Sequence, residues 1–252
     1  MFYRLRNLRN HIPNIITLLN LLFGCLSIAW ASHHHFGIAA IFIFLAAIMD
    51  FLDGLAANLL KAHSRIGTQL DSLADMVSFG VAPAFLVFIN VLLMFSSSLG
   101  SHPLSSLSWN FGILIFLPFI LSIFAGLRLA KFNIDTRQKA HFIGLPTPAM
   151  ALFFASAVYL FQTTEIQIFY EVMNTIFFWD GFAILFSILM VSEIKMISLK
   201  FRNVRWTDNQ FQYLFIGISV ILLVSLQAMS IPIIILMYVI FSFVYHLCNS
   251  KH

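Results

Sequence analysis

Residues Phe36 to Asp75 read F-G-I-A-A-I-F-I-F-L-A-A-I-M-D-F-L-D-G-L-A-A-N-L-L-K-A-H-S-R-I-G-T-Q-L-D-S-L-A-D. The stretch opens with an uninterrupted apolar run, then carries Asp50, Asp53, Asp71 and Asp75 where hydrocarbon-like side chains surround them. A helix that crosses a bilayer needs roughly 20 mostly apolar residues, and the run through Leu60 is long enough. Seven further runs of this kind follow or precede it, giving eight near 13–31, 36–60, 67–95, 110–130, 146–163, 177–197, 210–229 and 231–248. With 60% hydrophobic residues, 10% charged residues and a mean hydropathy of +0.93, the composition lies outside the range of soluble domains. The expected architecture is an all-α, polytopic membrane helix bundle of about eight transmembrane helices, with residues 1–252 forming one membrane domain.

Charge gives the orientation. Cytoplasmic loops of membrane proteins carry an excess of Lys and Arg. With eight spans, all 14 basic residues fall on one side: Arg4, Arg6 and Arg9; Lys61 and Arg65; Arg128, Lys131, Arg137 and Lys139; Lys195, Lys200, Arg202 and Arg205; and Lys251. The intervening loops contain none. Both termini are therefore expected in the cytoplasm, and the net charge of +4 reads as an orientation signal and a means of engaging anionic lipid head groups, with no nucleic-acid partner implied. The basic N-terminus followed by an apolar run has the outline of a signal peptide, but Ala31-Ser32-His33 is a poor cleavage site and the run is long enough to span. Cys25 and Cys248 sit within the first and last runs and are expected as free thiols.

A carboxylate at the centre of a membrane helix costs about 2.5–3.5 kcal/mol, so four would cost about 10–14 kcal/mol if nothing compensated them. Helical spacing allows cooperation, because residues three or four apart share a face. Asp50 and Asp53 lie on one face of the second helix with Ala57 beyond, and Gly67, Asp71, Asp75 and Ser78 form a stripe on the third. At 1.5 Å per residue, Asp53 lies roughly 12 Å along the helix from Lys61, and Asp75 roughly 12 Å from Gly67. The loop 61–66 is short, so the two acidic pairs reach similar depth and face each other in a cavity open to the cytoplasm. Four oxygen donors without His or Cys suit a hard cation such as Mg²⁺ or Mn²⁺. Two such ions could share four carboxylates and clamp a phosphoryl group during in-line displacement, which fits a pyrophosphate substrate. Gly54 and Gly67, lacking a Cβ, would let a ligand or a neighbouring helix approach the backbone. A proton relay or ion-coupling site of a transporter is the alternative that these acids leave open.

The pattern D-x2-D-G-x2-A-x9-G-x3-D-x3-D, formed by Asp50, Asp53, Gly54, Ala57, Gly67, Asp71 and Asp75, resembles the signature of the CDP-alcohol phosphatidyltransferase family. One position departs: an Arg usually follows the Ala, and here it is Asn58, which can hydrogen-bond but brings no charge. Lys61 or Arg65 could supply it. Further segments resemble the phosphatidylserine synthase branch: Pro13-Asn14-Ile15-Ile16-Thr17 at the start of the first helix, Ser78-Phe79-Gly80-Val81-Ala82-Pro83 directly after the last Asp, Arg128-Leu129-Ala130-Lys131-Phe132-Asn133, Phe142-Ile143-Gly144-Leu145-Pro146-Thr147-Pro148, and Ser198-Leu199-Lys200-Phe201. Lys131 replaces an Arg of that pattern.

The resemblance implies transfer of the phosphatidyl group from CDP-diacylglycerol to the hydroxyl of L-serine with release of CMP, dependent on Mg²⁺ or Mn²⁺, most simply two ions. It implies Asp50, Asp53, Asp71 and Asp75 as metal ligands and Asp75 also as proton acceptor. Asn14, Thr17, Gly54, Asn58, Ser64 and Gly67 are implied as contacts to the nucleotide of CDP-diacylglycerol. Arg128 and Lys131 are candidates for binding phosphate or the serine carboxylate. A homodimer in a bacterial inner membrane, with the site facing the cytoplasm, is the corresponding expectation.

Plainer roles stand beside these. Arg128 and Lys131 could anchor a helix end at the membrane surface, and Ser64 and Thr17 could be local backbone caps. His33, His34 and His35 form a cluster without the spaced scaffold of a metal site, on the side opposite the acids. Trp30, Trp109, Trp179 and Trp206 fall near run ends, where Trp serves as an interfacial anchor. Another acceptor, such as glycerol 3-phosphate, inositol phosphate or choline, would use the same machinery, and charge count does not separate it from serine.

Overall fold

The computed structural model describes residues 2–62, 64–99, 114–134, 142–196 and 209–249. Arg137, Lys139, Lys200, Arg202, Arg205, Lys251, Trp109, Trp206 and the 198–201 segment lie outside the described residues. The chain forms α1 (Phe2–Ser32), α2 (Phe36–Leu60), α3 (Arg65–Asp75), a π-helical turn (Met76–Val81) and α4 (Ala82–Leu99). A 3₁₀ turn (Leu117–Phe119) then leads into α5 (Ile120–Ile134), followed by α6 (Thr147–Thr163), α7 (Gln167–Met173), α8 (Ile176–Val191), α9 (Gln210–Leu226) and α10 (Ser230–Asn249). The all-α expectation holds apart from a two-residue antiparallel ladder, β1 (Phe142–Ile143) with β2 (Lys195–Met196), in which Phe142 pairs with Met196.

Each of the eight apolar runs is helical over most of its described residues, but the count of about eight spans is not borne out. Among the described residues, four helices are long and apolar enough to cross a membrane: His11–Ser32, Phe36–Leu60, Arg65–Ser96 and Leu114–Ile134. The pair α7 and α8 would be a fifth, bent by 69°. The helices Thr147–Thr163, Gln212–Leu226 and Ser230–Tyr245 are apolar but shorter. Runs of hydrophobic residues measure composition, whereas a span needs length in one helix, and the helices formed by three of the runs stay below 18 residues. The protein is nevertheless an integral membrane protein by the size of its apolar helices. Leu59, Ile66, Phe177 and Val224 are all more than 70% exposed, as lipid-facing residues are.

The packed centre is α6, which buries Thr147, Met150, Ala151, Phe161 and every residue from Phe153 to Val158. Phe153 stacks on Phe186 of α8 at 4.5 Å between ring centroids and meets Phe154 edge-on at 5.2 Å. Helix α6 also packs on α2, α4 and α10, so it ties the two halves of the chain together. Trp179 belongs to this core: it is fully buried, and its indole Nε1 donates to the Met173 carbonyl at 2.8 Å. The expected interfacial role is therefore corrected for Trp179, whose run end folds inward at the α7–α8 bend, while Trp30 is exposed.

The π-helical turn is a feature that sequence period alone did not predict, since residues 67–95 read as one regular helix. Pro83 has no N–H to offer the carbonyl one turn back, and the widened turn accommodates that loss. Beside this turn Ser122 of α5 donates to the Gly80 carbonyl at 3.0 Å. On the other side Ser78 donates to the Asn20 carbonyl of α1 at 2.9 Å. A Cβ at Gly24 would lie 2.8 Å from Ser78 Cα, and one at Gly80 would lie 3.2 Å from Ala125 Cβ. Small residues thus let α1, the turn and α5 pack backbone to backbone.

Gly144 has φ +75°, and its N–H donates to the Ile194 carbonyl at 2.9 Å. A side chain there would meet the Met190 carbonyl as well as the left-handed strain. Gly144→Ala should lower the thermal unfolding midpoint in detergent by the equivalent of at least about 1–2 kcal/mol, the cost of a Cβ in that conformation. Gly181→Ala, whose Cβ would meet nothing within 4 Å, should leave it unchanged or raise it.

Candidate active site

Helix α2 ends at Lys61, which adopts a left-handed conformation (φ 51°) while its N–H reaches back to the Ala57 and Asn58 carbonyls. After three residues Ser64 caps α3, accepting from the Gly67 N–H at 2.9 Å. This tight reversal sets α2 and α3 antiparallel and brings their acids together. One carboxylate oxygen each from Asp50, Asp53 and Asp71 lies within 4.8 Å of the others. Asp53 is buried, and Asp50 and Asp71 are partly buried. Among the described residues these three form the only group able to hold a metal ion in this way, and three hard oxygen donors fit Mg²⁺ or Mn²⁺. Asp75 stands outside that trio, within hydrogen-bonding reach of Asp50.

Helix α1 supplies the polar partners. Thr17, buried, has one hydroxyl proton, with Asp53 Oδ2 at 2.7 Å and the Pro13 carbonyl at 3.0 Å as its two acceptors. Asn20, one turn along, donates from Nδ2 to Asp75 Oδ1 at 3.2 Å. The expectation that Asp50 and Asp53 face Asp71 and Asp75 at one depth agrees with this geometry.

Beside the acids lies a cavity of about 210 Å³ lined by Pro13, Asn14, Thr17, Asp53, Gly54, Ala57, Asn58, Ala62, Ser64, Gly67, Thr68 and Asp71. All six residues expected to contact a nucleotide, Asn14, Thr17, Gly54, Asn58, Ser64 and Gly67, are in that lining. The two glycines do different things. A Cβ on Gly54 would meet nothing within 4 Å and would only project into open space, whereas one on Gly67 would lie 2.9 Å from both Asn14 Oδ1 and Ser64 Oγ. Gly67 therefore serves the close approach of α1 and α3. Ser64 is both helix cap and cavity wall. Lys61 and Arg65 are exposed and absent from the lining, so neither reaches in where Asn58 stands in place of an Arg.

The two basic candidates part company. Arg128 is buried, its Nη1 donates to Thr147 Oγ1 at 3.2 Å, and it lies within electrostatic range of Asp75. Its Nε is buried without a partner among the described residues. Lys131 is exposed on the last turn of α5. Asn133 joins the assembly from the same segment, its Nδ2 donating to Ser72 Oγ of α3 at 2.9 Å. Of the three histidines, His34 takes a left-handed turn conformation at φ 62°, and His35 packs edge-on against Trp30 at 5.3 Å.

Asn20 is the site residue that motif matching missed. The signal was present as a polar stripe on α1, Asn14, Thr17, Asn20 and Gly24, spaced three or four apart. Its Oδ1 is buried and has no hydrogen-bond partner among the described residues, an arrangement that costs about 1–3 kcal/mol when left unfilled.

The sequence matches the profile of the CDP-alcohol phosphatidyltransferase family over residues 10–200. It is 32% identical over 222 residues to the CDP-diacylglycerol–serine O-phosphatidyltransferase of Helicobacter pylori strain J99, covering 87% of this chain and 84% of that protein. It is 41% identical over 139 residues to the enzyme of the same name from Bacillus subtilis strain 168, covering 55% of this chain and 70% of that one. The archaeal protein of that name from Methanocaldococcus jannaschii is 33% identical over 184 residues, covering 73% and 72%.

Asp71→Asn should weaken binding of Mn²⁺, read by electron paramagnetic resonance of the purified protein, by about tenfold or more, the scale expected when a metal-site group is lost. Unchanged binding would mean that the trio does not hold the ion. Gly54→Ala should unfold at the same temperature as the parent protein but bind CMP less well, because its new methyl group enters the cavity and touches no helix.

Proposed function

The chain belongs to the CDP-alcohol phosphatidyltransferase family, and from that premise we propose that it acts as a phosphatidylserine synthase, transferring the phosphatidyl group of CDP-diacylglycerol to the hydroxyl of L-serine and releasing CMP. The observation that carries this reading is the coincidence of one polar cavity, ringed by Asn14, Thr17, Gly54, Asn58, Ser64 and Gly67, with the acidic trio at its wall. Serine as acceptor is supported by relatives that carry that name over most of their length.

In this reading the cavity holds the cytidine nucleotide, with Gly54 leaving room for it and Asn58 offering neutral hydrogen bonds. Asp50, Asp53, Asp71 and Asp75 would hold divalent cations, Mg²⁺ or Mn²⁺ and two by family analogy, whose chemistry is to supply positive charge to the phosphates. Thr17 orients Asp53, and Asn20 orients Asp75. Asp75 takes the proton of the serine hydroxyl, whose oxygen bonds to the phosphorus bearing diacylglycerol. The bond from that phosphorus to the bridging oxygen breaks, and its electron pair leaves with CMP. Arg128 suits an anionic group, either the phosphate or the serine carboxylate, while Lys131 suits an anchor at the membrane surface.

The junction of α2 and α3 that borders the cavity carries Lys61 and Arg65, so the positive-inside rule favours a cavity facing the cytoplasm of a bacterial cell. Serine and CMP would exchange there, and the acyl chains would lie among lipids.

Purified protein in detergent with Mg²⁺ or Mn²⁺ should release CMP from CDP-diacylglycerol when given L-serine, and not with glycerol 3-phosphate, inositol phosphate or choline. Release with another alcohol alone would replace serine as acceptor, and no release from folded protein with any of them would remove the transferase reading. Asp75→Asn should abolish nearly all turnover while the protein still expresses and binds CMP; near-normal turnover would take Asp75 out of the proton-acceptor role.

A further inference from the structure

We propose that the end of the bundle remote from the acids holds one acyl chain of a membrane phospholipid, seated in an apolar cavity between α6, the α7–α8 bend and the α9–α10 junction. The inference goes beyond the transferase reading and does not depend on it.

This second cavity measures about 250 Å³, and two interruptions in the helices border it. Helices α7 and α8 meet at a bend of 69°. Between α9 and α10 runs a 3₁₀ turn, Gln227–Met229, entered by Gln227 at φ 49°, a conformation that residues other than glycine seldom adopt. Met173 lines the cavity from the first interruption and Met229 from the second, while α6 contributes Ala157 and Leu160. Thr147, bonded to Arg128, marks the end of α6 nearest the acids. At 1.5 Å per residue, Ala157 and Leu160 lie about 15 and 20 Å further along that helix. The stretch 164–179 beside the cavity carries Glu165 and Glu171 but no Lys or Arg, which by the positive-inside rule belongs to the leaflet away from the cytoplasm.

Thr164 is the one polar residue of the described lining, and its Oγ1 accepts from the Ile166 N–H at 3.2 Å. Water does not fill such a space: an apolar cavity of about 150 Å³ stays dry and binds benzene instead. Ala157 and Met173 are buried and form the floor, whereas Phe169, Val172, Leu226 and Ile233 are exposed along the rim. The rim continues into the lipid-facing surface, where Ile168, Phe177 and Val224 are all more than 70% exposed. The cavity is therefore a recess in the surface that touches hydrocarbon, and the species that meets its rim is the acyl chain. Van der Waals contact supplies association among groups immersed in lipid, and an unfilled recess forfeits that contact. The described lining offers no charge to a phosphate or an amine, so the recess selects the chain and not the head group.

Trp179 reports on the site. Its indole donates to the Met173 carbonyl at 2.8 Å, and its ring meets the lining residue Phe178 edge-on at 5.2 Å. Protein that keeps Trp179 as its one tryptophan, through Trp30→Phe, Trp109→Phe and Trp206→Phe, is stripped of lipid in detergent. It is then titrated with phosphatidylcholine whose acyl chains carry bromine, a quencher of nearby indoles. Fluorescence should show a saturable loss, and phosphatidylglycerol with the same chains should give the same curve. Val172→Phe, which narrows the exposed rim, and Ala157→Leu, which fills the floor, should each abolish the saturable loss while the protein unfolds at an unchanged or higher temperature. Quenching that rises without saturation and is the same in both variants would reduce the contact to the general lipid shell and overturn the proposal. A saturable loss seen only with brominated CDP-diacylglycerol would give the recess to the substrate's own chain, and overturn it too. Should the single-tryptophan protein not fold, native mass spectrometry of the parent protein should find one phospholipid retained, and Val172→Phe should lose it. A parent that retains none, or a dimer that Val172→Phe dissociates with no change in bound lipid, would overturn the proposal, the second result assigning the recess to another copy of the chain.

Discussion

The placing of four carboxylates within apolar helices governs the rest of this structure, because water is not available there to solvate them. The chain answers with short-range hydrogen bonds from a neighbouring helix and with mutual proximity that invites a cation. Thr17 is turned toward Asp53 and Asn20 toward Asp75, so α1 is held against α2 and α3 by polar contacts that would be weak on a wet surface. Carboxylates this close repel one another until positive charge joins them, and the arrangement therefore favours metal binding for the same reason that it burdens the fold.

Unusual backbone lies directly next to these acids. Directly after Asp75 the helix widens into a π turn, whose Gly80 carbonyl accepts from Ser122 of α5 and whose Ser78 donates to the Asn20 carbonyl of α1. Glycines at 24, 80 and 126 allow the contact to be made at backbone range. Regular helices with larger side chains would stand further apart, and Asn20 and Arg128 would not both reach the level of Asp75. The aromatic core around α6 adjoins this polar seam through Phe79 and Ala125 and supplies dispersion contacts that hold the bundle.

The cavity and the seam are different neighbours of the same acids. The cavity is bounded by the tight α2–α3 reversal and by the first turns of α1, all of them local in sequence or marked by motif residues. The seam joins α1, the π turn and α5, which are distant in sequence.

Much of this was legible in the order of residues alone. Apolar runs identified the helices, because hydrocarbon tolerates only segments that satisfy their own backbone, and the spacing of Asp50, Asp53, Asp71 and Asp75 put the acids on facing stripes. The six cavity residues were equally readable, since they lie within or beside the acidic motif and the helix start at Pro13. Three features needed the folded chain. The number of true spans depended on where helices break, as at the bend between α7 and α8. The burial of Trp179 and Arg128, against the exposure of Lys131, depended on which side of each helix meets a neighbour. The role open to Asn20 depended on a contact across 55 residues of chain. Local sequence determines helical period and the chemistry that each face carries; which faces meet, and which polar atoms are then left wanting a partner, is decided only when distant helices pack, because that outcome is set by the shapes of all of them together.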